Sequence, residues 1–184
     1  MKATLTKEAI RIAHTASDSK DSRVLLQCVC IGNSEIVAAD GFMLARRSIQ
    51  TEPANGEAIL VNAKELLEAC RILKTDEVII ESGEDNKTAT IKRATEPESG
   101  LAITTTLIEG KFPAYTHIVP KTKRKAYVAL QASLLAKLLK AVGSDSGFFI
   151  KIKVREPNDP VEIHGDDTDV YLMPAHLPED QGGE

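Results

Sequence analysis

Residues 148–154, FFIKIKV, place Phe148, Ile150, Ile152 and Val154 on one side and Phe149, Lys151 and Lys153 on the other. Alternation with a period of two marks a half-buried strand. The same spacing sets Val24, Leu26, Cys28 and Cys30 of RVLLQCVCI on one face. EIVAAD, EVIIES, TATIKR, LAITTTLI, VEIH and DVYLM read as further strands, separated by the turn signals GNS, GEDN, EPND and GDD.

Three stretches switch to helical spacing. LTKEAIRIA begins at Leu5, VNAKELLEA at Val61 and LQASLLAKL at Leu130. Each opens on an apolar residue that ends a strand-like run, and Thr6, Asn62 or Gln131 follows in the capping position. Each then predicts a helix of about three turns. The chain thus divides into three modules near 1–56, 57–120 and 121–177, each a strand, one helix and several strands. One helix per module on largely antiparallel sheets implies an α+β fold with the helices on one face. Residues 1–120 form a domain of two modules, 121–177 a single-module half-domain, and 178–184 an acidic tail read as disordered.

The helical wheels separate charge from core. Ala9, Ile12, Ala13 and Ala16 cluster in the first helix, opposite Lys7, Arg11 and His14. Leu66, Ala69, Cys70 and Leu73 cluster in the second, with Lys64 and Arg71 opposite and Glu68 between them. Leu134, Leu135, Leu138 and Val142 cluster in the third, opposite Lys137 and Lys140. The exposed faces so read carry six basic residues against one Glu, although the 184-residue chain has a formal charge of −4. Basic helices lying side by side would attract phosphates without reading sequence. Acidic residues gather elsewhere, at Asp76, Glu77, Glu81, Glu84, Asp85, Asp166, Asp167 and Asp169.

Composition narrows the function classes. Hydrophobic content of 42% fits a globular protein, and an aromatic share of 4% without Trp means an aliphatic core. No run approaches the roughly 20 apolar residues of a membrane helix, and the N-terminus lacks signal-peptide character, so a cytoplasmic protein is expected. Three cysteines fit a reducing compartment. Cys28 and Cys30 share a face with Val24 and Leu26, which makes them core residues rather than metal ligands. HGDDTD, at His164–Asp169, reads as a solvated turn. No nucleophile, base and stabiliser can be assembled, so no catalytic residue, metal or cofactor is assigned and an enzyme is not expected.

Leu107–Pro120, LIEGKFPAYTHIVP, fits neither helix nor strand: it turns at Gly-Lys, runs past one proline and ends apolar at another. This segment resembles LIDGKFPDYRRVIP of bacterial sliding clamps, the DNA polymerase III beta subunit family. AADGFMLARR, at Ala38–Arg47, is similar to that family's ATDGHRLA, and DVYLMPAHL, at Asp169–Leu177, to its YVIMPMRL. The three motifs occur in the family's order, the first two in its middle domain and the third at its C-terminus. The first clamp domain has no counterpart here, and residues 121–177 resemble a last domain collapsed into one module.

The resemblance implies a processivity factor with double-stranded DNA and motif-bearing polymerases or repair proteins as partners. The DNA-binding residues would be Lys7, Arg11, Lys64, Arg71, Lys137 and Lys140. The connector would lead from one domain to the next, with Ile118, Val119 and Pro120 bordering an inter-domain cleft that holds short peptide motifs. Gly41, Phe42, Met43, Leu44, Pro120, Tyr171, Met173 and Pro174 would line it. Phe42 and Met43 stand where the family has His-Arg, and His176 replaces an Arg, so the pocket would be more apolar. Family rings contain twelve modules, so four chains of three modules would close one. The alternative is a clamp-derived peptide-binding adaptor or regulator that never encircles DNA.

Overall fold

A computed structural model of the chain describes residues 1–53, 57–95, 100–117, 128–142, 150–156, 158–165 and 168–175. The chain divides into two compact units, Met1–Val119 and Pro120–Glu184.

The first unit is built from two halves that exchange their leading strands. In the first half, β1 (Lys2–Leu5) runs into α1 (Lys7–Ile10), followed by β2 (Cys28–Gly32), β3 (Glu35–Ala39), β4 (Leu44–Ser48) and β5 (Gln50–Glu52). In the second, β6 (Ile59–Asn62) runs into α2 (Ala63–Leu73), followed by β7 (Val78–Ser82), β8 (Thr88–Arg93) and β9 (Ala102–Thr106). The sheet orders are β4-β3-β2-β6 and β5-β1-β7-β8-β9. Thus β1 pairs antiparallel with β7, and β6 with β2, so each half's first strand lies in the other half's sheet. The end of each half then returns to its own first strand: β5 pairs with β1, and Leu107 bridges Val61.

The exchange closes one core. Leu5, Val29, Ile31, Ile36, Val61, Leu66, Leu73, Val78, Ile80 and Ile91 are buried together between the sheets and helices. The aliphatic composition is the direct cause: these side chains have well-defined rotamers and no polar atoms to satisfy.

The first helical segment is not the uniform α-helix its spacing predicts. After one α turn it tightens into a 3-10 helix over Arg11–Thr15. Thr6 makes no capping bond; its hydroxyl donates to the Glu8 carboxylate instead. Asn62 does cap α2, its side-chain oxygen accepting from the Lys64 and Glu65 amides. Lys74 ends α2 in the left-handed conformation, and Arg93 Nε donates to the Leu73 carbonyl at 2.7 Å. Together these satisfy backbone groups that every helix end leaves over.

Val24 and Leu26 do not continue strand β2. Val24–Gln27 form a 3-10 turn with Val24 exposed, and the strand starts at Cys28. The strand is covered on both faces, because Val29 and Ile31 enter the main core while Cys28 enters a second cluster with Val37, Leu60 and Phe112. The connector supplies that second cover. Ile108 donates its amide to Leu60 at 3.0 Å, and Phe112 and Tyr115 then pack edge to face with ring centres 6.3 Å apart. Gly110 turns the chain at a φ of 141°, and a Cβ there would come within 2.7 Å of Leu25. The Tyr115 hydroxyl donates to Glu35, which also faces Arg46 at 3.7 Å. Tyr115–His117 form a short 3-10 turn. Ile118, Val119 and Pro120 lie outside the described residues.

In the second unit, α3 (Ala132–Val142) is followed by β10 (Lys151–Lys153), β11 (Val161–Gly165) and β12 (Thr168–Leu172), paired in that order. Phe148 and Phe149 of the predicted strand, and the tail 178–184, lie outside the described residues. Ile163, opposite Ile152 and Val170, is fully buried. On the other sheet face Glu162 accepts from Lys153 at 2.6 Å and Arg155 at 2.8 Å. Leu134, expected in the core, is 44% exposed. The architecture is α+β with antiparallel sheets and few helices, as the alternation and helical spacing predict.

Candidate functional site

The basic residues of the first unit sit on two adjacent helical segments, with α2 packed against the 3-10 helix that extends α1. Lys7, Arg11, Lys64 and Arg71 are all exposed, because Ala9, Ile10 and Ala13 on one segment and Ala63, Leu66, Ala69, Cys70 and Leu73 on the other take the buried positions.

Their charges are not equally available. Lys7 Nζ lies 2.7 Å from Asp76, and Arg71 is held by the Glu68 carboxylate. That contact holds the Glu68 carboxyl below its usual range and raises the Arg71 guanidinium. Arg11 and Lys64 have no carboxylate within ion-pair distance among the described residues, although Arg11 acts through space on the Glu8 carboxyl and Lys64 on that of Glu68. The wheel also understated the acidic content, since Glu8 and Glu65 are exposed on the same segments. Glu65 accepts from the Thr105 hydroxyl of β9. A groove of about 500 Å³ lies there, between α2 and β9. In the second unit Lys137 and Lys140 are exposed on α3 and form no ion pair among the described residues.

A second cluster of predicted residues surrounds Asp40. The carboxylate of Asp40 accepts from the Phe42 and Met43 amides, each at 2.8 Å, which closes a tight loop between β3 and β4. Those amides hold the Asp40 carboxyl below the usual carboxylate range. Gly41 takes a φ of 95°, and a Cβ on it would meet Arg23 Nη1 at 2.6 Å. Arg23 donates to the Asp40 carbonyl at 3.0 Å and is itself fixed by the Asp21 carboxylate, through Nε at 3.0 Å and Nη2 at 2.7 Å. The fork geometry of a guanidinium suits such a brace. The loop so held presents Phe42 at 97% exposure and Met43 at 55%, while Leu44 turns partly inward to the second cluster.

Asp21 and Arg23 escaped the sequence reading. Their i, i+2 spacing in SDSKDSR was legible as a turn, but nothing in it shows contact with Asp40.

In the second unit Tyr171 is exposed opposite Glu162, and Met173 is 65% exposed just beyond β12. Pro174 is half-buried. Pro120 and His176 lie outside the described residues, so the structure assigns them no place.

Burial pushes the Cys28, Cys30 and Cys70 thiols up to about 11, away from thiolate reactivity. His164 Nδ1 lies 2.5 Å from Asp169 across the β11–β12 pair, and Asp166 and Asp167 fall outside the described residues. Among the described residues no cluster of three potential ligands could hold a metal, and no helix is long and apolar enough to cross a membrane.

Residues 1–114 match the family model of the DNA polymerase III beta subunit, central domain. No curated protein sequence matches the chain. Solved structures of bacterial clamps share its fold. The DNA polymerase sliding clamp of Bacillus subtilis aligns at a TM-score of 0.68 and 16% identity, over 95% of this chain and 49% of that one. The Caulobacter crescentus pol III beta aligns at 0.67 and 19%, over 97% and 51%. The DNA polymerase III subunit beta of Borrelia burgdorferi, in complex with a natural product, aligns at 0.70 and 15%, over 94% and 48%. The chain therefore spans about half the length of the solved relatives it matches.

Proposed function

The chain belongs to the DNA polymerase III beta subunit family, and from that premise we propose that it is a sliding-clamp-type processivity factor acting in the cytoplasm. It binds duplex DNA through Lys7, Arg11, Lys64, Arg71, Lys137 and Lys140 without preference for sequence. Contacts of this kind, to phosphates alone, allow a protein to slide because every register is equivalent. The protein acts by binding rather than catalysis. It works as a homo-oligomer, a tetramer if a ring of twelve modules closes.

Polymerases or repair proteins are tethered through exposed apolar side chains. Gly41, Phe42, Met43 and Leu44 form one such surface, and Tyr171, Met173 and Pro174 another; Pro120 joins this set by resemblance. Methionine adapts its shape to varied peptides, which suits a surface serving several partners. A loop braced before binding also loses less entropy when a partner docks.

The observation that carries the DNA reading is the pair Arg11 and Lys64: two cations without an ion-pair partner among the described residues, on neighbouring helical segments. The experiment is duplex retention against salt for the wild type and for Lys7→Glu, Arg11→Glu, Lys137→Glu and Lys140→Glu. Each lost phosphate contact lowers the slope of log K against log salt by about 0.9. An unchanged slope overturns the reading.

The pairing of Lys7 with Asp76 and of Arg71 with Glu68 favours a second reading. Half of the first unit's basic set is already compensated, as suits an adaptor or regulator that binds peptide motifs and leaves DNA alone. Peptide binding with no retention on duplex selects it.

A further inference from the structure

The second unit repeats one half of the first. Aligned on their helix starts, Leu5, Val61 and Leu130 are equivalent, as are Ile10, Leu66 and Leu135, and Ala13, Ala69 and Leu138. The return contact repeats as well. Ile108 donates its amide to the Leu60 carbonyl at 3.0 Å, and Ala175 donates to Ala129, the equivalent of Leu60, at 2.7 Å.

Among the described residues the strand exchange does not repeat. In the first unit the strand after each helix is flanked by the other half's leading strand, β7 by β1 and β2 by β6. In the second unit the corresponding strand, β10, is an edge among the described residues.

Burial follows the same division. Ile10, Leu66, Ala13 and Ala69 are buried, whereas Leu135 and Leu138 are only half-buried. Ile80, opposite Ile91, is fully buried, whereas Ile152, in the same place opposite Ile163, is 54% exposed and Val154 is 46% exposed. Lys151 and Lys153 point to the other sheet face, where Glu162 holds Lys153. The apolar row is therefore not interrupted by charge. An uncovered edge with apolar side chains is a template for pairing with another chain.

We propose that the second unit is completed by the second unit of another copy of this chain, each copy's Val128–Leu130 segment adding along the other's β10 and covering its Ile152 and Val154. The occupant is a second copy because the first unit shows the arrangement already closed within one chain. The module that fills such an edge is the same module turned about a two-fold axis. The exchange is reciprocal, so this contact is self-complementary and joins two copies at their second units. In the first unit Ala3 faces Ile80, and the equivalent pair across the dimer is Val128 of one copy with Ile152 of the other. The proposal concerns assembly alone and does not depend on DNA binding.

Two measurements on the full chain, without DNA, test it. Light scattering at micromolar concentration gives twice the 19.9 kDa chain mass for the wild type. Ile152→Glu gives the single-chain mass at the same concentration. The second measurement does not rely on that variant folding: Val128→Cys with Ile152→Cys, oxidised, forms a covalent dimer in much higher yield than either single cysteine variant. A wild-type monomer at every concentration overturns the proposal. So does an assembly whose mass Ile152→Glu leaves unchanged, or a cysteine pair that closes within one chain. Loss of DNA retention with the dimer intact would count against the clamp reading and not against this one.

Discussion

The Asp40 carboxylate stands 2.8 Å from the Met43 amide and 2.8 Å from the Phe42 amide, so one side chain holds both exposed apolar residues of the β3–β4 loop in place. Asp40→Ala removes both acceptors. The expected outcome is rapid amide exchange at Phe42 and Met43 with unchanged protection of β2, read by hydrogen exchange. The pH dependence has a definite sign. A carboxyl held below its usual range stabilises the loop above the unfolded value near 3.9, and the effect is lost as pH falls through the folded value. Amide exchange at Phe42, corrected for its intrinsic pH dependence, should therefore accelerate only below about pH 4.

Gly41→Ala tests the same loop from the backbone side. A side chain at a φ of 95° is strained, and its Cβ would press on Arg23 Nη1 at 2.6 Å. The expected cost is about 1–3 kcal/mol, read by urea denaturation, with a weaker affinity for a clamp-binding peptide.

The connector should behave as part of the first unit's core. Phe112 is buried against Cys28, Val37 and Leu60. Phe112→Ala is expected to cost about 3–5 kcal/mol in the unfolding of residues 1–119. Tyr115→Phe removes the donor to Glu35. Burial first, and the Glu35 carboxylate second, raise the Tyr115 hydroxyl above its ordinary range. A group raised in the folded state stabilises fully below its unfolded value near 10 and loses that contribution as pH rises through the folded value. The wild type should lose stability above about pH 10 more steeply than Tyr115→Phe.

The two helix starts of the first unit should respond differently to the same change. Asn62→Ala removes the acceptor for two amides and should cost about 1 kcal/mol, read by thermal or urea unfolding. Thr6→Ala removes no capping bond and should cost less.

The six basic residues should not be equivalent on DNA. Arg11→Glu and Lys64→Glu each remove a cation with no ion-pair partner among the described residues. Lys7→Glu and Arg71→Glu remove cations already facing Asp76 and Glu68. Per substitution, the first pair should lower the salt slope more, up to about 0.9 units each. Equal losses for all four would mean that DNA displaces the two carboxylates.

Much of this architecture is written along the chain. The three apolar-to-helix starts at Leu5, Val61 and Leu130 lie just before α1, α2 and α3, and helical spacing places Leu66, Ala69, Cys70 and Leu73 inside while Lys64 and Arg71 stay outside. Local periodicity suffices here because it fixes where a side chain points relative to its own backbone. It names no partner. That β1 belongs with β7 and β6 with β2 follows from closure of a shared core over more than 70 residues, in the case of Ala3 and Ile80. Strand β2 misled the reading because it is apolar on both faces: Cys28 meets Phe112 while Val29 meets the main core, and such a run has no alternation to show. The bracing of Asp40 by Arg23 and the pairing of Lys7 with Asp76 were equally hidden. A charge in a linear text carries a sign but no neighbour, and only folding brings residues 69 apart to within 2.7 Å.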